Sequence, residues 1–229
     1  MSSSACQPLE PAPAYPVVTQ AATRDPALGA GYEAFKRATD LAGSAALLAF
    51  LVPLLLAIAA CIKLTGPGPV VFTQRRLGRD RRVFLCYKFR TMVPDAEARL
   101  AACDDLAARF DRNFKLKDDP RVTPLGALLR RTSLDELPQL WNVLRGDMSL
   151  IGPRPVVEPE LARYGRHAGR LLTVKPGLGG VWQVNGRSET SYEERVAMDM
   201  SYIDSRSMAL DLKLLFRTAL VVLGGRGAY

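Results

Sequence analysis

The chain is poor in the residues from which metal and thiol sites are commonly built: its 229 residues include one histidine and four cysteines. The lone histidine excludes an H-E-x-x-H zinc site and any phosphotransfer scheme needing two histidines within one chain. It lies at His167 in R-Y-G-R-H-A-G-R, which reads as a solvated surface stretch. Cys6, Cys61, Cys86 and Cys103 are scattered, with no C-x-x-C pair. That spacing argues against a zinc ribbon and, at this size, against a disulfide framework, so reduced thiols are expected. Near Met1 no basic stretch opens into an apolar run, and a secretory signal is not expected. Acid is also scarce relative to base: 31 Lys and Arg against 23 Asp and Glu leave a formal charge of +8. Such a balance calls for an anionic partner, whether nucleic acid, nucleotide-sugar or anionic membrane surface. With histidine and cysteine set aside, the working acid, base or nucleophile is expected to be a carboxylate.

What is there begins with a Pro-, Ala- and Ser-rich stretch of about 30 residues without apolar periodicity, the composition of a disordered tail. Leu41 to Ile62 then carries no charge and, if wholly helical, would just span a bilayer. Pro53 sits near its middle, where it deletes one backbone hydrogen bond and crowds the carbonyl of Ala49, so a break is expected there. Basic residues flank both ends, Lys36 and Arg37 before and Lys63 with Arg75 to Arg82 after. The positive-inside tendency assigns both flanks to the cytoplasm, so the segment should enter and return. A kinked transmembrane helix and a buried core helix are the rival readings.

Beyond Gly66-Pro67-Gly68-Pro69, the runs Val70 to Phe72 and Val83 to Leu85 read as a hairpin around a basic tip suited to lipid phosphates. Asp95 to Phe110 reads as a surface helix. Thr123-Pro124 signals a helix start that delivers Arg130 and Arg131. The chain continues helically from Glu193, and Met208 to Leu223 is either an interfacial amphipathic helix or one packed on the protein's own core.

The chemistry concentrates in L-R-R-T-S-L-D-E-L-P-Q-L-W-N-V-L-R-G-D-M-S-L-I-G-P-R-P, Leu129 to Pro155. Asp135 and Glu136 stand between Arg130 and Arg131 on one side and Arg145 and Arg154 on the other, an arrangement suited to a divalent cation and a polyanionic substrate. Ser133 with Glu136 also fits a capping box. Pro138 would then fall past the first turn, and a helix starting a residue or two later fits better. Asp135 would then sit at or beside the N-cap with Glu136 in the first turn, where free amides can hold phosphate.

The string resembles the bacterial sugar transferases, monotopic phosphoglycosyl transferases that start glycan assembly on a polyprenol phosphate. The resemblance covers about Tyr32 to Leu223 and is carried also by K-F-R-T-M (Lys88 to Met92), D-D-P-R-V-T (Asp118 to Thr123) and K-P-G-L-G-G-V-W-Q-V-N-G-R (Lys175 to Arg187). The small members most like this chain prime exopolysaccharide synthesis. The resemblance implies transfer of a hexose-1-phosphate, galactose or glucose first, from a UDP-sugar to undecaprenyl phosphate, releasing UMP. It assigns the covalent nucleophile to Asp135 and a Mg²⁺ ligand to Glu136, a ranking chemistry alone does not make. It also implies a helix-break-helix anchor in one leaflet, although members often break at Ser-Pro where this chain has Val52-Pro53.

Phosphoryl transfer needs an anionic nucleophile, charge neutralisation and in-line geometry, and Mg²⁺ is expected to clamp the diphosphate. Arg131 and Arg154 are the first candidates to hold phosphates, then Lys88 and Arg90 of the K-F-R motif. Gln183, Asn185 and Arg187 are candidates for the nucleotide or sugar. Asp199 and Asp204 read more cheaply as the charged face of a surface helix.

The expected fold is α/β mixed (α+β) and helix-rich, with a re-entrant membrane hairpin, interfacial helices and a small sheet. Its divisions are a tail over 1–31, a re-entrant segment over 32–65 and a catalytic domain over 66–229. The expected place is the inner membrane with the site on its cytoplasmic face. Membrane lipids are partners, nucleic acid is not, and a homodimer is the ordinary expectation. The reading from a different class is a non-catalytic basic adaptor for membrane or nucleic acid. It leaves the acid pair inside a basic stretch unexplained, because those carboxylates would repel phosphate without a metal.

Overall fold

The computed structural model describes residues 29–103, 116, 119–185 and 191–224. The elements run α1 (Ala30–Leu64), β1 (Val71–Leu77), β2 (Val83–Phe89), α2 (Ala96–Ala101), α3 (Pro124–Arg131), α4 (Gln139–Arg145) and β3 (Ser149–Ile151). They continue with α5 (Glu158–Leu161), α6 (Ala168–Leu171), β4 (Gly177–Gly179), α7 (Val181–Val184), α8 (Tyr192–Ser205) and α9 (Met208–Gly224). The expected mixed, helix-rich architecture with a small sheet is what forms. Of the surface helix expected over Asp95 to Phe110, the described part is α2, and the tail expected over 1–31 lies outside the described residues except at its end.

α1 is about 52 Å long at 1.5 Å per residue, and it is long and apolar enough to cross a membrane. The break expected at Pro53 is absent, and the helix continues through it. One missing amide is tolerable because packing holds α1 on both sides of the proline. Tyr32, Asp40, Ser44, Ile58 and Ile62 are buried, and Leu48, Leu51 and Leu55 are partly buried against the domain. These positions recur every three or four residues, so one face of α1 lies along the domain for its whole length. The opposite face, with Phe50 80% exposed and Leu56 66% exposed, has no covering element among the described residues.

The N-terminal third of α1 is fastened by polar bonds. Lys36 Nζ lies 2.8 Å from Asp211 Oδ2 on α9 and donates to the Ile151 carbonyl at 2.9 Å. Tyr32 and Tyr202 hydroxyls donate to the two oxygens of the same Asp211 carboxylate at 2.8 and 2.7 Å. Asp40 Oδ1 accepts from Ser149 Oγ at 2.9 Å and the Leu150 amide at 2.8 Å. Arg37 donates to the Val143 and Leu144 carbonyls, both at 2.8 Å, satisfying the last turn of α4.

β1 and β2 form an antiparallel hairpin, Val71 opposite Phe89 and Leu77 opposite Val83. Its strands are longer than expected and take in Arg75 and Arg76. Three arginines of the basic stretch meet acids: Arg76 with Glu160, Arg79 with Glu33 and Arg81 with Glu158. The stretch is therefore only partly available to lipid phosphate. β3 and β4 pair in parallel, Ser149 with Gly177 and Ile151 with Gly179. Here glycine is obligatory, since a Cβ on Gly177 would stand 2.0 Å from the Gly152 amide nitrogen.

Thr123 caps α3 as its Thr-Pro signature predicts, Oγ1 accepting from the Gly126 amide at 2.9 Å. The capping box at Ser133 does not form. Ser133 is left-handed at φ 57°, its side chain makes no cap bond, and Leu134–Glu136 is a single 3₁₀ turn. Asp135 is thus in a tight turn rather than at a helix N-cap, because α4 begins only after Pro138, which has no amide to give. One side of α9 packs on the protein's own core, with Leu214 buried, while Met208, Leu212, Phe216 and Leu220 on the helix are exposed.

Candidate active site

The 3₁₀ turn places Asp135 inward and leaves Glu136 half-buried beside the end of β2. Lys88, on β2, donates from Nζ to Glu136 Oε1 at 2.6 Å. The first turn of α3 lies against the segment that follows β2, and a Cβ on Gly126 would lie 2.0 Å from the Thr91 carbonyl oxygen. That close approach lets Arg130 Nε donate to Thr91 Oγ1 at 3.0 Å, with its guanidinium within the field of Asp135. Arg131, the next residue, is exposed at the end of the same helix. One step along a helix turns a side chain by about 100°, so only one member of an Arg-Arg pair faces the acid.

The charges tune one another. Burial first, and then the Glu136 charge, push the Asp135 carboxyl above its usual range, while Lys88 and Arg130 pull it back. Burial works to raise Glu136 too, but the Lys88 charge and hydrogen bond, with Arg154 and Arg76, outweigh it and hold that carboxyl low. The pair thus carries one firmly ionised carboxylate and one poised near its titration, the pattern by which adjacent acids take different roles.

Arg154 comes from the loop after β3. Its guanidinium stacks on the Trp182 ring at 5.4 Å, and its buried Nε has no hydrogen-bond partner. Arg195, on α8, stacks on the same indole at 4.6 Å and also has a buried, unpartnered Nε, as does Trp182 at Nε1. Arg76 is the third buried guanidinium here, donating to the Pro155 carbonyl at 2.8 Å and lying 3.3 Å from Glu160. Burial lowers the pKa of Arg76 and Arg195, and the Arg154 charge lowers both further. Guanidiniums crowded this way, with buried donors unspent, suit the several oxygens of a diphosphate.

Asp199 is not on a surface face, as its sequence context suggests, but only 1% exposed. It accepts from Tyr164 Oη at 2.8 Å and from the Arg154 backbone amide. Burial pushes its carboxyl up to about 7 against the Tyr164 bond and the charges of Arg195 and Arg154. Asp204 is exposed and pairs with Arg170. Arg90 donates to the carbonyls of Pro67, Gly66 and Ile62 at 2.6, 3.0 and 3.1 Å, so it splices the end of α1 to β2. Gln183 lies on α7 beside Trp182, Asn185 accepts from Arg217 at 3.2 Å, and Arg187 lies outside the described residues.

Among the described residues no three His, Cys, Asp or Glu side chains gather in one place. That fits Mg²⁺, which is commonly held by one or two carboxylates and completed by substrate phosphates and water. Asp135 and Glu136 are the two adjacent carboxylates that would be at hand for such an ion, with Glu136 Oε1 already engaged by Lys88. Arg76, Arg130, Arg195 and Trp182 are the residues that sequence reasoning passed over or left without a role. Trp182 and Arg130 lay inside distinctive strings, whereas Arg76 and Arg195 carried no local signal.

Compared with known proteins, residues 31–225 match the bacterial sugar transferase family. The chain is 46% identical over 198 residues to a UDP-galactose-lipid carrier transferase of Erwinia amylovora, covering 85% of this chain and 41% of that protein. It is 44% identical over 198 residues to an undecaprenyl-phosphate galactose phosphotransferase of Salmonella typhimurium, with 85% and 41% covered. It is 45% identical over 199 residues to the exopolysaccharide production protein ExoY of Rhizobium meliloti, with 85% and 88% covered. The chain therefore spans about two fifths of the first two relatives and most of the third.

Proposed function

The chain belongs to the bacterial sugar transferase family, and we propose that it moves a hexose-1-phosphate from a UDP-sugar to undecaprenyl phosphate as the first step of exopolysaccharide assembly. The observation that carries this reading is the buried Asp135 beside an ionised Glu136, ringed by Lys88, Arg130 and Arg154. Asp135 Oδ attacks the β-phosphorus of the donor, and the bond from that phosphorus to the bridging oxygen breaks. UMP leaves with that oxygen, and a sugar-phosphoryl group remains on the aspartate. An oxygen of the polyprenol phosphate then attacks the same phosphorus, the acyl-phosphate bond breaks, and the carboxylate is regenerated.

Arg154 and Arg195 offer the cationic wall for the diphosphate, and Lys88 holds Glu136 ionised and oriented. Arg130 lowers the cost of ionising the buried nucleophile. Mg²⁺ held at Glu136 would supply Lewis-acid neutralisation of charge on the departing UMP. Galactose is the first donor to test, because two relatives carry it in their names.

Membrane attachment rests on α1. Both its ends and the face between them are held by one domain, which supports a segment that stays in one leaflet. The basic flanks support a reading in which that leaflet is the cytoplasmic face of the inner membrane.

The test is UMP release from a panel of UDP-sugars, with undecaprenyl phosphate, by detergent-purified protein. Release from one donor that disappears in Asp135→Asn and in chelator is the expected result. Release that persists in folded Asp135→Asn would overturn the covalent route, and no release from any donor would overturn the assignment.

A further inference from the structure

The K-P-G-L-G-G string has a charged member with no part in the site above. Lys175 is half-buried, and its ammonium makes no hydrogen bond and no ion pair among the described residues. It lines a concavity at the foot of α1 together with Arg37, Arg79 and Arg206. These four cations come from four separate places: α1, the hairpin tip, the loop before β4 and the α8–α9 junction. Arg37 and Lys175 converge on Gly146, where an added Cβ would meet Arg37 Nη2 at 3.4 Å and Lys175 Nζ at 3.5 Å. Their charges are therefore within about 7 Å of each other. Arg206 Nε is buried and has no hydrogen-bond partner among the described residues.

Two acids, Glu33 and Asp40, face these four cations and Lys36 in the concavity. Glu33 lies 3.4 Å from Arg79. Asp40 spends Oδ1 on Ser149 and Leu150, and the nearby Lys36 is matched by Asp211. Burial and then the charges of Arg37 and Arg79 push the Lys175 pKa down, and the charges of Asp40 and Glu33 only partly offset them. Like charges gathered from distant parts of the chain cost stability unless something neutralises them. We propose that this concavity is a second anion site, built from none of the residues around Asp135, that takes the phosphate group of a lipid headgroup or of a soluble phosphate. It lies just before the uncharged run Leu41 to Ile62. A headgroup bound there would sit where an embedded α1 meets water.

Binding of the full chain to phosphatidylcholine vesicles with and without phosphatidylglycerol tests this, beside thermal melts with and without inorganic phosphate. Lys175→Gln and Arg206→Gln are each expected to lose about fivefold in binding to the anionic vesicles, the worth of one cation near such a surface, with binding to neutral vesicles unchanged. Lys175→Arg should restore it. If instead inorganic phosphate raises the melting temperature of wild type but not of the Gln variants, and vesicle preference is equal, the site stands with a soluble ligand. Folded Gln variants that match wild type in both measurements would overturn the site. Turnover is not the readout, so failure here leaves the transfer reaction untouched.

Discussion

Replacing Lys88 with glutamine should shift the acid limb of the pH–rate profile upward. Asp135 attacks only when ionised, and its carboxyl is raised toward about 6 by burial and by Glu136. Activity therefore falls as pH drops through that region. Lys88 opposes the rise, and its Nζ is 2.6 Å from Glu136. At a separation of about 4 Å and an effective dielectric of about 20, one unit charge contributes roughly 4 kcal/mol. The Lys88 and Glu136 side chains are 26% and 36% exposed, so water screens that figure toward about 1 to 2 kcal/mol. Since one pKa unit corresponds to about 1.4 kcal/mol, the limb in kcat/KM for UMP release should move up by about one pH unit in Lys88→Gln. It should move little in Lys88→Arg. The free enzyme's ionisation governs kcat/KM, so the donor must be kept well below saturation. A folded Lys88→Gln variant whose limb stays in place, or moves down, would refute the coupling between Lys88 and the acid pair.

Two further outcomes follow from the same geometry. Arg154→Lys keeps the charge but loses the planar fork stacked on Trp182, so kcat/KM for the UDP-sugar should drop about 10- to 100-fold. Its melting temperature should stay near wild type, because the Nε it gives up has no partner in the fold. Asp199→Asn should melt higher than wild type at pH 8 by about 2–4 °C, a gain that fades toward pH 5. The sign follows from a folded pKa raised to about 7 from an ordinary 3.8: the wild-type carboxyl stabilises the fold fully only below the lower value, and that stability is lost as pH rises through the upper one. Calorimetry at the two pH values checks it, and a variant destabilised at both would show that the charge itself holds the fold.

Much of the local structure was legible in the chain. Thr123-Pro124 announced α3, and Gly and Pro at 66–69 announced the end of α1. The misreadings share a cause. Pro53 looked like a break because sequence counts the hydrogen bond it removes but not the packing of Leu51, Leu55 and Ile58 that keeps the helix going. Ser133 looked like a cap because spacing does not report that its backbone turns left-handed. A stretch apolar all round gives no sign of which face is seated and which is bare, and Leu41 to Ile62 of α1 is such a stretch.

The sequence by itself determined the apolar segment, the acid pair and the surplus of base, since these depend on composition and on neighbours a few residues apart. Only the tertiary structure decided that Arg130 rather than Arg131 faces Asp135, that Asp199 is buried, and that Arg76, Arg154 and Arg195 crowd together. The same holds for Arg37, Lys175 and Arg206. Electrostatic energy depends on distance through space and on burial, and residues more than a hundred positions apart acquire both only when the chain closes on itself.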